Sequence, residues 1–512
     1  MKLEFAVASA FLTVLLTAAC AGDPLPDPNV ITIAVPSSPG DLDPRVGVDE
    51  ASARVHQLLY DQLFETDENL RVAPSLATHW DMPDALTYVV HLRDGVRFHD
   101  GRELTSRDVV HTFKAFLDPE FVSARKGAFT LLDSVRGIDA RTVEFKLKRP
   151  FGSFPVNLVM QIVPDGSGSE LRDHPIGTGP YQFVSFAADD KVVLKANPHY
   201  YRGAPTNTGI VLKVVPDDIM RGLELRKGTV DIVINDLPPD VAYQLEQDKE
   251  LQLVTSPGTD YMYLGLNLRD PALKDLRVRQ AISYAIDRDA IVKYLRRGLA
   301  RPAVGILPPR AWAFEPNVVS YQHDPARAKR LLDEAGFTDP DGDGPLPRLN
   351  LSLKVSTLEQ YRLQATVIQQ DLKQVGINLD VRSYEFATLF DDLFKGAFQM
   401  VSMQWVGITD PDVLRRVFHS SQVPPSGWNR GFYHNPEVDR LIDAATVSTD
   451  EAERHRLYAE TQRLIAQDLP YISLWYKTNV AVAQVNLEGI HLTPATDFVF
   501  LRSVRRVPRP SG

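Results

Sequence analysis

The segment LGLNLRDPALKDLRVRQAISYAIDR (residues 264–288) leads into a long helical pattern. From Leu276 to Leu295, apolar residues recur at helical spacing, which predicts an amphipathic helix with one buried face. Its charged side chains are expected to stay on the polar side and to serve the fold, not a ligand site: Arg277, Arg279, Asp287 and Arg288.

Strand patterns alternate with such helices along the rest of the chain. RTVEFKLKRP (141–150) and LNLSLKV (349–355) are apolar at every second residue, which is typical of a half-buried strand. TYVVHLRDGVRF (87–98) predicts a strand, a turn at Asp94-Gly95 and a return strand.

Two of the helices carry their own start and stop signals. TSRDVVHTFKAFL opens with Thr105 and Asp108 at capping-box spacing. DPARAKRLLDEAGF has Asp324 as its cap, Pro325 at the first helical position and Gly336 just past the end. Helices and strands mixed in this way, without a fixed-period repeat, predict an α/β or α+β fold with several sheets.

The N-terminus reads as an export signal and not as part of the fold. The apolar run from Phe5 to Ala19 is too short to span a bilayer and fits the apolar region of a signal peptide, so residues 1–19 are expected to be removed. The following LLTAAC resembles a bacterial lipobox, although Thr17 stands where an aliphatic residue is usual. The resemblance implies that Cys20 carries lipid and that residues 20–29 form a tether. The alternative is a soluble exported protein with an unused cysteine.

Composition narrows the class further. With 44% hydrophobic and 24% charged residues the chain is globular, and its length suits two or three domains. The formal net charge of −10 argues against nucleic acid as a partner, because that binding needs a basic face.

Motifs for catalysis or metal binding are missing from the sequence. It contains no HExxH, GxxxxGK[ST], GxSxG or paired-cysteine pattern, and its twelve histidines are scattered, without metal-ligand spacing and supporting carboxylates. We therefore expect no enzyme activity, no cofactor and no metal site. DPDGDG (339–344) matches the first half of a calcium loop, but Asn350 takes the place of its bidentate glutamate, which favours a polar turn over weak calcium binding.

Five segments together resemble the extracellular solute-binding proteins of the peptide/nickel family, which capture substrates for ABC importers. They are ATHWDMPDALTYVVHLRDGVRFHDGRELTSRDVVHTF (77–113), HPIGTGPYQF (174–183), ANPHYYRGAP (196–205), the segment 264–288 and HDPARAKRLLDEAGF (323–337). The resemblance covers the chain from about Ile31 to Arg505. It implies an α/β, two-lobed periplasmic-binding-protein fold with an extra domain inserted in one lobe.

The resemblance also implies domain bounds. Domain I is expected to be discontinuous, domain II to be the insertion and domain III to be the second ligand-binding lobe. The ranges are 30–55 with 172–258 and 480–512, then 56–171, then 259–479. The chain is expected to cross between the lobes near Thr259–Asn267 and Trp475–Val482, and a ligand in the cleft between them would favour closure.

The segment MQWVGITDPDVL (403–414) is the expected ligand segment. In peptide binders of this family, an aspartate after the tryptophan pairs with the peptide ammonium; here Ile408 stands at that place. Asp410 is either a shifted charged anchor or a turn residue that caps the helix at Val413–Phe418. The candidate ligand residues are Trp405, Gly407, Ile408, Thr409 and Asp410, together with Tyr261, Tyr263 and Asn267 at the lobe crossing.

The function expected from the resemblance is capture of a peptide or peptide-like solute by lobe closure, followed by delivery to an ABC permease and ATPase. The protein is expected to act as a monomeric lipoprotein, periplasmic or at the cell surface. Two alternatives stay open: a two-lobed sensory or chaperone protein that feeds no importer, and a hydrolase.

Overall fold

A computed structural model describes residues 27–342 and 344–508 of the chain. The predicted signal peptide, Cys20 and most of the predicted tether lie outside these residues, as does Asp343 of the DPDGDG turn. No helix among the described residues is both long enough and apolar enough to cross a membrane.

Strands and helices alternate along the whole described chain. The strands are β1 (Val30–Val35), β2 (Phe64–Thr66), β3 (Val72–Pro74), β4 (Ala77–Asp84), β5 (Thr87–Leu92), β6 (Leu132–Gly137), β7 (Thr142–Leu147), β8 (Tyr181–Ala187), β9 (Lys191–Ala196), β10 (Gly209–Val214), β11 (Ile232–Ile234), β12 (Leu251–Leu266), β13 (Ala300–Pro302), β14 (Leu349–Ser356), β15 (Ile377–Tyr384), β16 (Met400–Trp405), β17 (Tyr471–Gln484), β18 (Leu487–Glu488) and β19 (Arg505–Arg506). The α-helices are α1 (Glu50–Leu59), α2 (Ser106–Leu117), α3 (Phe154–Asn157), α4 (Asp218–Lys227), α5 (Pro239–Glu246), α6 (Leu276–Ala285), α7 (Arg288–Ala290), α8 (Pro325–Glu334), α9 (Glu359–Lys373), α10 (Phe386–Lys395), α11 (Val413–Phe418), α12 (Pro436–Val447) and α13 (Glu451–Asp468).

One mixed sheet runs through both lobes. Its strand order is β15-β14-β16-β12-β17-β11-β1-β10-β9-β8, and β13 adds to β17. By the predicted domain bounds, the first lobe contributes β1 and β8–β11, and the second contributes β13–β16. A separate four-stranded sheet, β4-β5-β7-β6, belongs to the segment that lies between β1 and β8 in sequence.

The long antiparallel strands β12 and β17 join the lobes. They pair from Leu251 with Gln484 as far as Pro257 with Thr478, and pairing resumes at Tyr261 with Tyr476. Between these points residues 258–260 face only Lys477, which makes a bulge. Gly258 is needed there, because a Cβ atom would lie 2.5 Å from the carbonyl oxygen of Lys477.

The apolar cores follow the same arrangement. Residues of β1, α1, β8–β11 and the C-terminal part of β17 pack in the first lobe. Buried residues from Leu63 to Ile162 form a core of their own, built on the four-stranded sheet. Two adjoining cores in the second lobe take up most of 261–476. The predicted domain bounds themselves stay a prediction.

Sequence signals that involve only neighbouring residues are found in the structure as predicted. The capping box of α2 forms, and Asp324 accepts a hydrogen bond from the backbone N–H of Arg327 at the start of α8. Gly336 has φ +90° just beyond that helix, which glycine adopts without strain. The predicted strands at 141–150 and 349–355 are β7 and β14.

Two predicted elements are wrong in extent. The helix predicted from Leu276 to Leu295 ends at Ala285, because the Asp287 side chain accepts from the N–H of Ala290 and begins a new short helix. After that helix, residues 291–295 form a π-helical turn. The return strand predicted after Asp94-Gly95 is only an isolated bridge between Arg97 and Glu103.

Two arginines that were expected on the polar side of this segment are not exposed: Arg279 is buried and Arg288 is half-buried. Arg279 donates to the carbonyl oxygens of Asp468, Leu273 and Lys274. Arg288 donates to the carbonyl oxygen of Ser473 at 2.6 Å and to Ser283. The helical pattern does not reveal such burial, because these carbonyl partners come from the end of a helix and from a distant strand.

His56 in the first-lobe core gives a prediction for acid stability. Burial lowers the pKa of His56 to about 4, and its ring nitrogen Nε2 lies 2.9 Å from the carbonyl oxygen of Asp41. Between about pH 6.5 and 4 the unfolded chain binds a proton that the folded chain does not, so the free energy of unfolding falls on acidification, by about 3 kcal/mol in all. Urea unfolding of wild type and His56→Gln across this range should show a steeper pH slope in wild type. Exposed His323→Gln should keep the wild-type slope, and parallel wild-type and His56→Gln profiles would contradict the assignment.

Candidate functional site

Trp405 ends β16 beside the strand that joins the lobes. It pairs with Tyr261 of β12, stacks on Tyr263 with ring centroids 6.3 Å apart, and meets Trp428 edge-on at 5.7 Å. The chain then turns outward, so Val406 is 72% exposed. The predicted ligand segment therefore begins at the lobe junction.

Gly407 and Ile408 have opposite environments. Gly407 is exposed with φ +65°, a left-handed conformation that favours glycine, and its N–H donates to Asp260 Oδ1 at 3.0 Å. Ile408 is 5% exposed and packs in an apolar core of the second lobe, while Thr409 is half-buried. The position at which the resemblance implies a carboxylate in peptide binders is thus part of the core here.

Asp410 has structural contacts. Its Oδ1 accepts from the N–H of Asp412 at 2.8 Å, and its carbonyl oxygen accepts from the N–H of Val413, so it shapes the turn before α11. Burial raises the pKa of Asp410, and the nearby Arg454 opposes that shift. The geometry matches the turn alternative, and a role as a ligand anchor stays a prediction.

The other three predicted residues are buried. The Tyr261 hydroxyl lies 2.7 Å from Ser473 Oγ, and Tyr263 is sandwiched between neighbouring rings, with the Tyr471 centroid 4.1 Å away. Asn267 donates to the carbonyl oxygens of Gly396 and Phe398 and fastens the end of β12 to the loop before β16. These contacts lie inside the second lobe and hold in place the strand β12, which pairs with the strand that carries Trp405.

Asp260 was missed by sequence reasoning and lies in the bulge of β12. Its Oδ1 accepts from Gly407, its Oδ2 accepts from Gln404 Nε2 at 2.9 Å, and across residues 27–342 and 344–508 it has no ion pair within 4.0 Å. Burial raises the pKa of Asp260, Lys477 opposes the shift, and Glu50 of the first lobe adds to it. A half-buried carboxylate held by neutral donors between two lobes is suited to receive a cation.

Arg430 was also missed, and it lies on the other side of Trp405. Its guanidinium carbon is 4.6–5.6 Å from four ring centroids, and the side chain is 4% exposed. The rings belong to Phe390, Phe394, Trp405 and Trp428. In the described part of the chain no carboxylate lies within ion-pair distance of it, so the aromatic faces and the nearby Tyr263 stabilise its charge.

A cavity of about 100 Å³ lies in the second lobe. Tyr261, Ser473 and Arg288 line it, although Arg288 was expected outside any ligand site. Burial lowers the pKa of Arg288 to about 10, which leaves it protonated at neutral pH, and its donors are taken by carbonyl groups. A volume of this size holds a few waters.

Comparisons with known proteins agree with this architecture. The profile of the bacterial extracellular solute-binding proteins, family 5, matches residues 71–424. The oligopeptide-binding protein AppA of Bacillus subtilis is 32% identical over 472 residues, 88% of this chain and 86% of AppA. The glutathione-binding protein GsiB of Pectobacterium atrosepticum is 32% identical over 501 residues, 95% of this chain and 96% of GsiB.

Solved structures place the fold in the same group. The Bacillus subtilis AppA structure with a nonapeptide has a TM-score of 0.75 at 30% identity, covering 93% of this chain and 99% of AppA. The predicted resemblance and the predicted two-lobed α/β fold are thereby confirmed. The chain belongs to the family 5 bacterial extracellular solute-binding proteins.

Proposed function

We propose that this protein captures a peptide or peptide-like solute between its lobes and delivers it to the permease and ATPase of an ABC importer. The family assignment makes it an exported binding protein, and its relatives are binders, not enzymes. AppA binds oligopeptides and GsiB binds glutathione, by their names, which supports a peptidic ligand here. The observation that carries the proposal is the joining of both lobes by β12 and β17, with ligand-suited groups at the junction.

Within the junction, we assign the ligand contacts to the surface around Trp405. Trp405 and Val406 offer apolar area, and Gly407 leaves space because nothing lies within 4 Å of the Cβ position. Asp260 takes the ammonium role that Ile408 cannot fill, since its carboxylate lacks an ion-pair partner in the described chain and lies beside the same turn. Asp410 is the competing anchor.

Native mass spectrometry of the purified protein tests the proposal. Peptide masses that leave on denaturation are expected, and a degenerate tripeptide pool should raise the unfolding temperature because ligand binds only the folded state. A ligand at 100 times its Kd adds about 2.7 kcal/mol. A single co-purifying non-peptide mass, with no shift from peptides, would contradict a peptide ligand.

We further propose that Cys20 carries lipid and anchors a monomer to the membrane. Several acyl chains, at about 0.8 kcal/mol per buried methylene, hold a protein stably on a bilayer. Cys20→Ala is expected to move the protein from the membrane fraction to the soluble fraction and to abolish palmitate labelling. Thr17→Leu, which restores the usual lipobox residue, should keep both. Equal membrane fractions for wild type and Cys20→Ala would contradict the anchor.

A further inference from the structure

Two histidines and an aspartate meet on the outer side of the four-stranded sheet. His79 of β4 lies directly opposite His91 of β5 in the strand register, and Asp81 follows two residues after His79. The two imidazole rings are stacked, with centroids 4.3 Å apart and planes 12° apart. One ligand atom from each of the three residues lies within 4.8 Å of the other two.

Hydrogen bonds around His79 leave one nitrogen ready for coordination. The Thr78 hydroxyl donates its single hydrogen to the carbonyl oxygen of His91 and lies 3.0 Å from His79 Nδ1. When the hydroxyl donates to that carbonyl oxygen it accepts from Nδ1–H, and the lone pair of His79 is then on Nε2, the tautomer that metal binding through Nε2 requires. A hydrogen bond on the far nitrogen is the arrangement that orients histidine ligands in metal proteins.

The rest of the cluster supplies negative charge. His91 Nε2 lies 2.9 Å from Asp81 Oδ2. Asp81 is 67% exposed at its side chain and His91 is 32% exposed, so both can rotate by the small amount that shared coordination needs. Coordination through His91 Nε2 leaves its proton on Nδ1.

We propose that His79, Asp81 and His91 bind a first-row transition-metal dication of the Cu²⁺, Ni²⁺ and Zn²⁺ class. Imidazole nitrogens with one carboxylate suit these ions, whereas Ca²⁺ and Mg²⁺ need oxygen ligands. Three protein ligands leave positions for water, so the bound ion exchanges and a chelator removes it. This site lies on a different sheet from the proposed solute junction and does not depend on the solute.

Histidine spacing along the sequence does not show this pair, and the proposal departs from the expectation of no metal site. The two histidines are twelve residues apart and meet only because β4 and β5 pair. A bulge between Ala77 and His79 sets the register that aligns them.

Calorimetric titration of the purified protein, prepared without a histidine tag, with CuCl₂, NiCl₂ and ZnCl₂ tests the site. Wild type is expected to bind Cu²⁺ more tightly than Ni²⁺ or Zn²⁺, as the affinity order of these ions requires. His79→Ala/His91→Ala should lose one equivalent of bound metal, and Thr78→Val should weaken binding about tenfold without removing a ligand. The double variant should keep the wild-type unfolding temperature in EDTA, because its side chains are at the surface.

The matched control is His434→Ala/His323→Ala. His434 Nδ1 lies 3.9 Å from Asp439 Oδ2, and both His434 and His323 are exposed. The control should bind metal as wild type does. Equal stoichiometry in wild type and His79→Ala/His91→Ala, or no binding of any of the three ions by wild type, would overturn the proposal.

Discussion

Asp260→Asn is expected to weaken binding of tripeptides with a free amino terminus by a factor on the order of 100, because removing one partner of a half-buried, hydrogen-bonded charge pair costs about 2–5 kcal/mol. Asparagine keeps the shape and can still accept from Gly407, so the loss reports the charge. N-acetylated tripeptides should bind wild type and variant equally. Calorimetry gives the affinities of wild type and Asp260→Asn for the free-amine pool and for the N-acetylated pool, and these four values are compared.

Asp410→Asn is the matched control for that experiment. Asp410 shapes the turn before α11, so its variant is expected to lower the unfolding temperature while the preference for free amines persists. If Asp410→Asn abolishes the preference and Asp260→Asn does not, Asp410 is the anchor. If wild type binds neither pool, the proposed peptide function itself fails, which is a different outcome from a misplaced anchor.

Tyr263→Ala is expected to destabilise the second lobe by about 3–5 kcal/mol, the usual cost of deleting a buried aromatic side chain. The Tyr263 ring stacks on Tyr471, Tyr261 and Trp405, so its loss leaves a cavity beneath the proposed ligand surface. The denaturant midpoint of the second lobe, followed by tryptophan fluorescence, should fall sharply.

Tyr263→Phe separates packing from ligand contact. It keeps the stacked ring and should retain both the midpoint, within about 1 kcal/mol, and the affinity for tripeptides. A large loss of affinity in Tyr263→Phe with normal stability would instead support the predicted role of Tyr263 as a ligand residue, acting through its hydroxyl.

Sequence reasoning worked where a few neighbouring residues contain the whole signal. The cap and stop of α8 and the alternation of β7 each depend on contacts within one element, so local chemistry is enough. The resemblance supplied the two-lobed fold, which no periodicity in the chain would have revealed.

Sequence reasoning predicted less where the partners of a residue come from distant parts of the chain. Asp260 gains its position from a bulge between β12 and β17, and Arg430 gains its aromatic surroundings from α10 and β16. His79 and His91 meet through strand register. Buried Arg279 and half-buried Arg288 have backbone partners up to 189 residues away, which a helical pattern cannot report.

The bulge at 258–260 has a mechanical consequence. Two strands carry the chain between the lobes, and their ladder is interrupted at one point, so bending concentrates there as at a pivot. A group at the bending point moves little while the lobes rotate about it. An ammonium held by Asp260 would therefore be bound about equally before and after closure, and such a contact adds affinity without shifting the balance between the two states. The free energy that favours closure would have to come from ligand atoms farther from the bulge, which the first lobe contacts only in the closed state.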